Sequence, residues 1–123
     1  MAKVVVIDDE PGIRNVIARI LVRDGHEVWQ AENGDVGLRM VGTHQPQLVI
    51  TDLLMPDKEG IETIQELREA YPDLKILAVS GAGSAEEGGP LLDAEILGAD
   101  ASLPKPFTPQ ELMAKVDLLL GGS

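Results

Sequence analysis

Five residues with chemically useful side chains come at or just after the ends of apolar runs in the sequence. They are Asp8 and Asp9 after the first run, Asp52 after a second, Ser80 at the end of a third and Lys105 after a fourth. Three carboxylates that meet repel one another, so they either hold protons more tightly or require a cation, and oxygen ligands favour a hard ion such as Mg2+. A lysine can pair with a carboxylate or a phosphoryl group, and a serine hydroxyl can donate to phosphoryl oxygen. Together these groups suit phosphoryl transfer, in which a carboxylate attacks phosphorus while positive charges neutralise the transferring oxygens.

Taken singly, each residue also has an ordinary structural interpretation. An Asp after a strand is most often a helix cap, and a Lys before a Pro is most often a loop residue. Helix capping alone rarely produces an acid pair, a third acid, a hydroxyl and a lysine in this order. We therefore interpret the five residues as one site.

The apolar runs predict the strands that would position these residues. They cover residues 3–7, 27–31, 48–51, 75–79 and 100–103. Continuous runs of this kind, rich in β-branched residues, are typical of strands buried on both faces of a parallel sheet. Each chemically useful residue then lies at a carboxyl end.

Apolar residues at helical spacing between these runs predict five helices. The first ends at Gly25, Asn33 should cap the second, and the third begins near Ile61. A fourth is expected within residues 84–98, weakened by its glycines and a proline, and Thr108 with Glu111 forms a capping box for the fifth. Strands alternating with helices predict an α/β fold whose ligands bind beyond the carboxyl ends of the strands, where strand order reverses.

Composition excludes several other classes of protein. The 123 residues suit one domain, here residues 1–123 with 121–123 as a tail, and the absence of cysteine excludes thiolate chemistry. A net charge of -11 without a basic stripe disfavours direct nucleic-acid binding. No apolar run approaches the ~20 residues of a membrane span, so we expect a soluble, intracellular protein without membrane contact.

Four motifs resemble those of the response-regulator receiver family, and the resemblance extends nearly end to end. They are Asp8-Asp9-Glu10-Pro11, Asp52-Leu53-Leu54-Met55-Pro56, Ser80-Gly81 and Lys105-Pro106-Phe107, each after its apolar run. The resemblance implies a flavodoxin-like sheet with strand order 2-1-3-4-5, and it makes Lys105-Pro106 a candidate cis peptide.

The resemblance also implies roles for individual residues. Asp52 matches the phosphorylated aspartate. Asp9 and Asp52 match ligands of Mg2+ or Mn2+, with Asp8 acting directly or through water and the backbone carbonyl of Leu54 as a further ligand. Ser80 and Lys105 match the two positions that contact phosphate.

The expected function is that of a two-component phosphoacceptor, a phosphoprotein and not an enzyme beyond its own phosphorylation and dephosphorylation. Its partners would be a histidine kinase or histidine phosphotransfer protein and an unidentified downstream protein, in a bacterial cytoplasm. No output domain is recognised in the chain. The alternatives are a receiver-like binding module that works without phosphorylation, a haloacid-dehalogenase-like phosphatase and, least favoured, a flavin carrier.

The sequence departs from the family at three positions. Ser102 replaces the usual aromatic residue three positions before the lysine. We therefore expect the change of shape on phosphorylation to pass through residues 81–98. The alternative is that this segment is an ordinary flexible loop. Leu54 and Ala82 replace residues that can orient water, which predicts a long-lived phosphorylated form.

Other residues receive ordinary structural interpretations. His26 and His44 are expected to be solvated, and Trp29 to be partly buried.

Overall fold

The computed structural model describes residues 2–53, 60–80 and 98–121. In these residues the strands are β1 (Lys3–Ile7), β2 (Glu27–Ala31), β3 (Leu48–Asp52), β4 (Lys75–Ser80) and β5 (Ala101–Pro104), and the helices are α1 (Pro11–Arg23), α2 (Gly34–His44), α3 (Gly60–Ala70) and α4 (Pro109–Leu119). Four of the five expected helices are therefore found. The remaining one falls in a segment of which residues 84–97 lie outside the described ranges.

The five strands form one parallel sheet in the order β2-β1-β3-β4-β5, which confirms the expected order. The order reverses at β1, which pairs with β2 on one side and with β3 on the other. In the β1–β3 register Ile7 lies beside Thr51. The residues that follow, Asp8 and Asp52, consequently leave the sheet side by side at its carboxyl edge.

Helices cover both faces of the sheet. Because side chains alternate along a strand, Val5 and Ile7 of β1 pack with α2 and α3, whereas Val4 and Val6 pack with α1 and α4. The central strand β3 is buried at every residue, including Asp52 at its end. The strands that carry the acids are thus held between two apolar layers.

The helix ends follow the predicted local signals. Asn33 caps α2 by accepting a hydrogen bond from the Val36 backbone N–H at 2.9 Å. At α4 the Thr108 hydroxyl accepts from the Glu111 N–H, while the Glu111 carboxylate accepts from the Thr108 N–H, which completes the capping box. Both predictions are confirmed.

His26 contradicts its predicted solvated state, because only 8% of its side chain is exposed. Its Nδ1 accepts from the Ala2 backbone N–H at 3.0 Å, a contact between residues 24 positions apart. His44 is also partly covered, since its ring stacks on Trp29 with the centroids 4.0 Å apart. The partial burial expected of Trp29 is confirmed.

Arg68 on α3 connects separate segments of the chain at the amino-terminal edge of the sheet. Its five N–H groups donate to the carbonyl oxygens of Pro72, Leu74 and Gly98, the last of them twice, and to the carboxylate of Asp100. The same Asp100 oxygen accepts from the Ile76 N–H at 2.8 Å. One guanidinium thereby joins α3, the start of β4 and the segment before β5.

We predict that Arg68→Ala lowers the free energy of unfolding by about 2 kcal/mol, because several backbone carbonyls lose a charged donor. Arg68→Lys should restore little, since one ammonium cannot reproduce the planar fork. Urea unfolding measures both. Arg39→Ala, an exposed arginine on α2, is the control and should change stability by less than about 0.5 kcal/mol. Equal losses for Arg68→Ala and Arg39→Ala would contradict the assignment.

Candidate functional site

The carboxyl edge of the sheet brings together the residues singled out in the sequence. Asp8 follows β1, Asp52 ends β3, Ser80 ends β4 and Lys105 follows β5. The β4–β5 pairing continues past the strands, because the Lys105 N–H donates to the Ser80 carbonyl oxygen at 2.9 Å. Five residues from four distant segments of the sequence, counting Asp9, therefore meet at the point where strand order reverses.

The three carboxylates lie close enough to share one ion. One oxygen from each of Asp8, Asp9 and Asp52 lies within 4.8 Å of the others. Asp8 and Asp52 are 1% and 5% exposed, and Asp9 is the most exposed of the three. Ligand oxygens on opposite sides of a Mg2+ ion stand about 4.2 Å apart, so small side-chain movements would suffice for coordination.

Lys105 supplies a positive charge beside the two buried acids. Its Nζ lies 3.3 Å from Asp8 Oδ2 and 3.5 Å from Asp52 Oδ2, and its side chain is 14% exposed. When the three carboxylates and this ammonium are ionised, three negative charges and one positive charge leave a net charge of two negative units. A divalent cation matches that charge, and a set of oxygen donors matches a hard ion. The residues present thus fit Mg2+ or Mn2+.

Asp8 is fixed in place through each of its four polar atoms. Its N–H donates to the Ala31 carbonyl oxygen at 3.1 Å, and its Oδ1 accepts from the Glu10 N–H at 2.9 Å. Its Oδ2 faces Lys105, and its carbonyl oxygen accepts from Arg14 Nη1 at 2.8 Å. Sequence reasoning did not single out Arg14; a charged donor in the first turn after an acid pair was the available signal.

Gly60 is a second residue that sequence reasoning missed. Its N–H donates to the Leu53 carbonyl oxygen at 3.0 Å, which brings the start of α3 against the end of β3. A Cβ atom at Gly60 would overlap the carbonyl oxygen of Asp52 and the Cα of Leu53. Only a residue without a side chain allows this close approach beside Asp52.

The remaining predictions about the site divide into two groups. The cis peptide bond at Lys105-Pro106 is confirmed. Leu54, with its expected carbonyl ligand, and Ala82 lie outside the described residues, as does most of the 81–98 segment. Ser102 lies on β5 and is partly exposed.

The sequence relatives of this chain are response regulators. Residues 4–117 match the family described as the response regulator receiver domain. The response regulator MprA of Mycobacterium sp. (strain KMS) is 36% identical over 118 residues, which cover 96% of this chain and 50% of MprA. The MprA of Mycobacterium ulcerans is also 36% identical over 118 residues, and these residues again cover 50% of its length. The chain thus spans about half the length of the curated relatives it matches.

Solved structures agree with the sequence relatives. The receiver domain of NtrX from Brucella abortus superimposes with a TM-score of 0.90 at 30% identity, covering 98% of this chain and 99% of that one. A CheY-like receiver domain protein from Methanospirillum hungatei gives 0.90 at 28% identity, with 99% and 95% covered. The Vibrio cholerae chemotaxis protein CheY4 gives 0.87 at 29% identity, with 97% and 98% covered.

The parallel sheet with an acidic site at its carboxyl edge defines an α/β signalling module of the CheY-like type. The chain belongs to the response regulator receiver domain family of two-component signalling. Phosphorylation and Mg2+ binding are typical of this family, and its members interact with histidine kinases or phosphotransfer proteins. In the described part of the chain, no helix is long and apolar enough to cross a membrane.

We predict that Gly60→Ala lowers the free energy of unfolding by about 2 kcal/mol or more, because the new methyl group meets backbone atoms that cannot rotate away. Gly12→Ala on α1 is a matched control, since nothing lies within 4 Å of its added Cβ. That change should be neutral or stabilising by up to about 1 kcal/mol. Urea unfolding of both variants checks the difference, and two equal values would show that the close approach at Gly60 is not required.

Proposed function

We propose that this chain is a phosphoacceptor receiver in which Asp52 takes a phosphoryl group from a phosphohistidine donor with the help of Mg2+ or Mn2+. The observation that carries the proposal is the placement of the Asp52 carboxylate. It is buried at the carboxyl edge of the sheet, has an oxygen within 4.8 Å of one oxygen each from Asp8 and Asp9, and lies 3.5 Å from the Lys105 ammonium. Membership of the receiver family supports the same assignment.

The residues of the site divide the work of this reaction, and Asp52 has two roles in it. An Asp52 carboxylate oxygen forms the new bond to phosphorus, the bond between phosphorus and the donor's histidine nitrogen breaks, and that nitrogen keeps the electron pair. Asp8, Asp9, Asp52 and the backbone carbonyl of Leu54 would hold the metal, which when bound neutralises charge on the transferring oxygens.

Lys105 and Ser80 contact the phosphoryl group after transfer. The Lys105 ammonium, paired with Asp8 and Asp52 in the free protein, gains phosphoryl oxygens as more highly charged partners. The Ser80 hydroxyl donates to another of these oxygens. Movement of these two side chains is the first step by which phosphorylation would change a protein-interaction surface.

The proposed scope of the molecule follows from this chemistry. Residues 1–123 act as one receiver domain, with 121–123 as a tail, and catalyse only their own phosphorylation and dephosphorylation. A histidine kinase or histidine phosphotransfer protein supplies the phosphoryl group, and a downstream protein reads the result. With Ser102 in place of the usual aromatic residue, the change passes through residues 81–98.

Labelling with a small phosphodonor tests the proposal directly. We expect incubation with acetyl phosphate and Mg2+ to raise the intact mass of the protein by one phosphoryl group, because the Asp52 carboxylate lies beside the other two acids of the metal site and 3.5 Å from the Lys105 ammonium. Asp52→Ala and removal of metal should each abolish the gain. Asp117→Asn, an exposed acid on α4, should leave it unchanged.

The opposite result would identify a different kind of protein. If the folded protein binds Mg2+ but gains no mass, or if Asp52→Ala gains the same mass, the phosphoacceptor proposal is wrong. The absence of any gain would favour a receiver-like module that binds its partner without phosphorylation, whereas an unchanged gain in Asp52→Ala would place the phosphoryl group on another residue.

We predict that the phosphorylated form is long-lived, because neither Leu54 nor Ala82 can orient a water molecule by hydrogen bonding. Leu54→Asn combined with Ala82→Glu should speed first-order loss of the phosphoryl group by about tenfold, equivalent to about 1.4 kcal/mol of the barrier. Loss of the added mass over time measures the rate. The apolar double variant Leu54→Met, Ala82→Met is the control, and a decay as fast as that of the polar variant would refute the prediction.

A further inference from the structure

We propose that Arg14 is a positioning residue that holds the turn carrying Asp8 and Asp9 in the geometry that binds the divalent metal. The inference rests on the metal site described under Proposed function and adds a residue to it. Arg14 lies in the first turn of α1, and its half-buried side chain points back toward the turn from which the helix begins.

The guanidinium of Arg14 bridges the acidic turn and the neighbouring strand. Nη1 donates to the Asp8 carbonyl oxygen at 2.8 Å, and Nε donates to Gln30 Oε1 at 3.2 Å. Gln30 belongs to β2, where it lies beside Val6 of β1 in the sheet register. The contact therefore connects the turn to the edge strand β2 across 16 positions of sequence.

The atom that Arg14 binds controls the direction of both acidic side chains. The Asp8 carbonyl is part of the planar peptide that joins Asp8 to Asp9, so fixing this oxygen fixes the plane between their Cα atoms. The backbone N–H of Arg14 also donates to the Glu10 carbonyl oxygen at 3.0 Å. Arg14 thus holds the turn at its beginning through the side chain and at its end through the backbone.

The two backbone polar groups of Asp8 are both linked to β2. Its N–H donates directly to the Ala31 carbonyl oxygen, and its carbonyl oxygen is linked through Arg14 to Gln30. Removing the Arg14 side chain would leave only the first link, and the Asp8-Asp9 peptide could then rotate. The carboxylates would have to be reordered at the moment of metal binding, which weakens affinity.

Charge and position give opposite expectations for the loss of Arg14. A positive charge near three carboxylates repels a divalent cation, so by charge alone its removal should tighten metal binding. Loss of the hydrogen bond to Asp8 should weaken metal binding instead. The sign of the change in affinity therefore separates the two roles.

Mn2+ binding, followed by the electron paramagnetic resonance signal of the free ion, measures this sign without phosphorylation. We expect Arg14→Met to raise the Kd for Mn2+ about tenfold. Arg14→Lys keeps the charge but should fail to restore affinity, because one ammonium cannot reach both partners in the geometry of the fork. Gln30→Leu, which leaves Arg14 bonded to Asp8 but not to β2, should raise the Kd by less than Arg14→Met does.

Arg19→Met is the matched control, because Arg19 is an exposed arginine on the same helix. It removes the same charge and should leave the Kd unchanged or slightly lower. Circular dichroism of the metal-free variants identifies a temperature at which all of them are folded, and the Kd values are compared at that temperature. If Arg14→Met does not fold at any temperature, Gln30→Leu and Arg14→Lys supply the answer.

Two results would overturn this inference and leave the metal site itself intact. The first is a Kd for Arg14→Met that equals or falls below that of the wild type. The second is lower thermal stability of the metal-free variants with unchanged Kd values. The second result would mean that Arg14 serves the fold and not the metal site. A wild-type protein that binds no Mn2+ would instead overturn the metal site itself and this inference with it.

Discussion

The mutual repulsion of three carboxylates at one edge of the sheet is the constraint on which the rest of the site depends. Asp8 and Asp52 cannot move apart, because both extend from central strands that are paired along their length and buried on both faces. Their repulsion is relieved by the Lys105 ammonium and, in our proposal, by a divalent metal. In the same proposal, metal binding and phosphorylation each change the charge that Lys105 experiences.

Two arginines hold the loops at opposite edges of this sheet by the same physical means. Arg14 donates to a backbone carbonyl at the carboxyl edge, and Arg68 donates to three of them at the amino-terminal edge. A guanidinium suits this task because its planar set of donors can satisfy several carbonyl oxygens at fixed angles. Gly60 contributes by having no side chain, which lets α3 approach Asp52. Close packing at Gly60 and, in our proposal, the Arg14 contact thus hold the acids in place before a ligand binds.

The sequence patterns predicted most of the fold because they report local preferences. Buried β-branched runs located all five strands to within about one residue of their ends, and capping signals located the starts of α2 and α4. His26 shows where such reasoning fails. A histidine in a turn was expected in solvent, yet its environment is set by the backbone N–H of Ala2, whose position depends on the folded β1–β2 pair.

The sequence by itself determined which reactive groups are present, their order along the chain and the strand ends that carry them. Those features depend on residue type and spacing, which act over a few neighbouring residues. Only the tertiary structure decided the 3.3 Å and 3.5 Å distances from Lys105 to the two buried acids, the link from Asp8 through Arg14 to Gln30, and the fit of Gly60 against Asp52. Each of these depends on strand register and helix packing between distant segments, and no local pattern encodes the resulting positions of individual atoms.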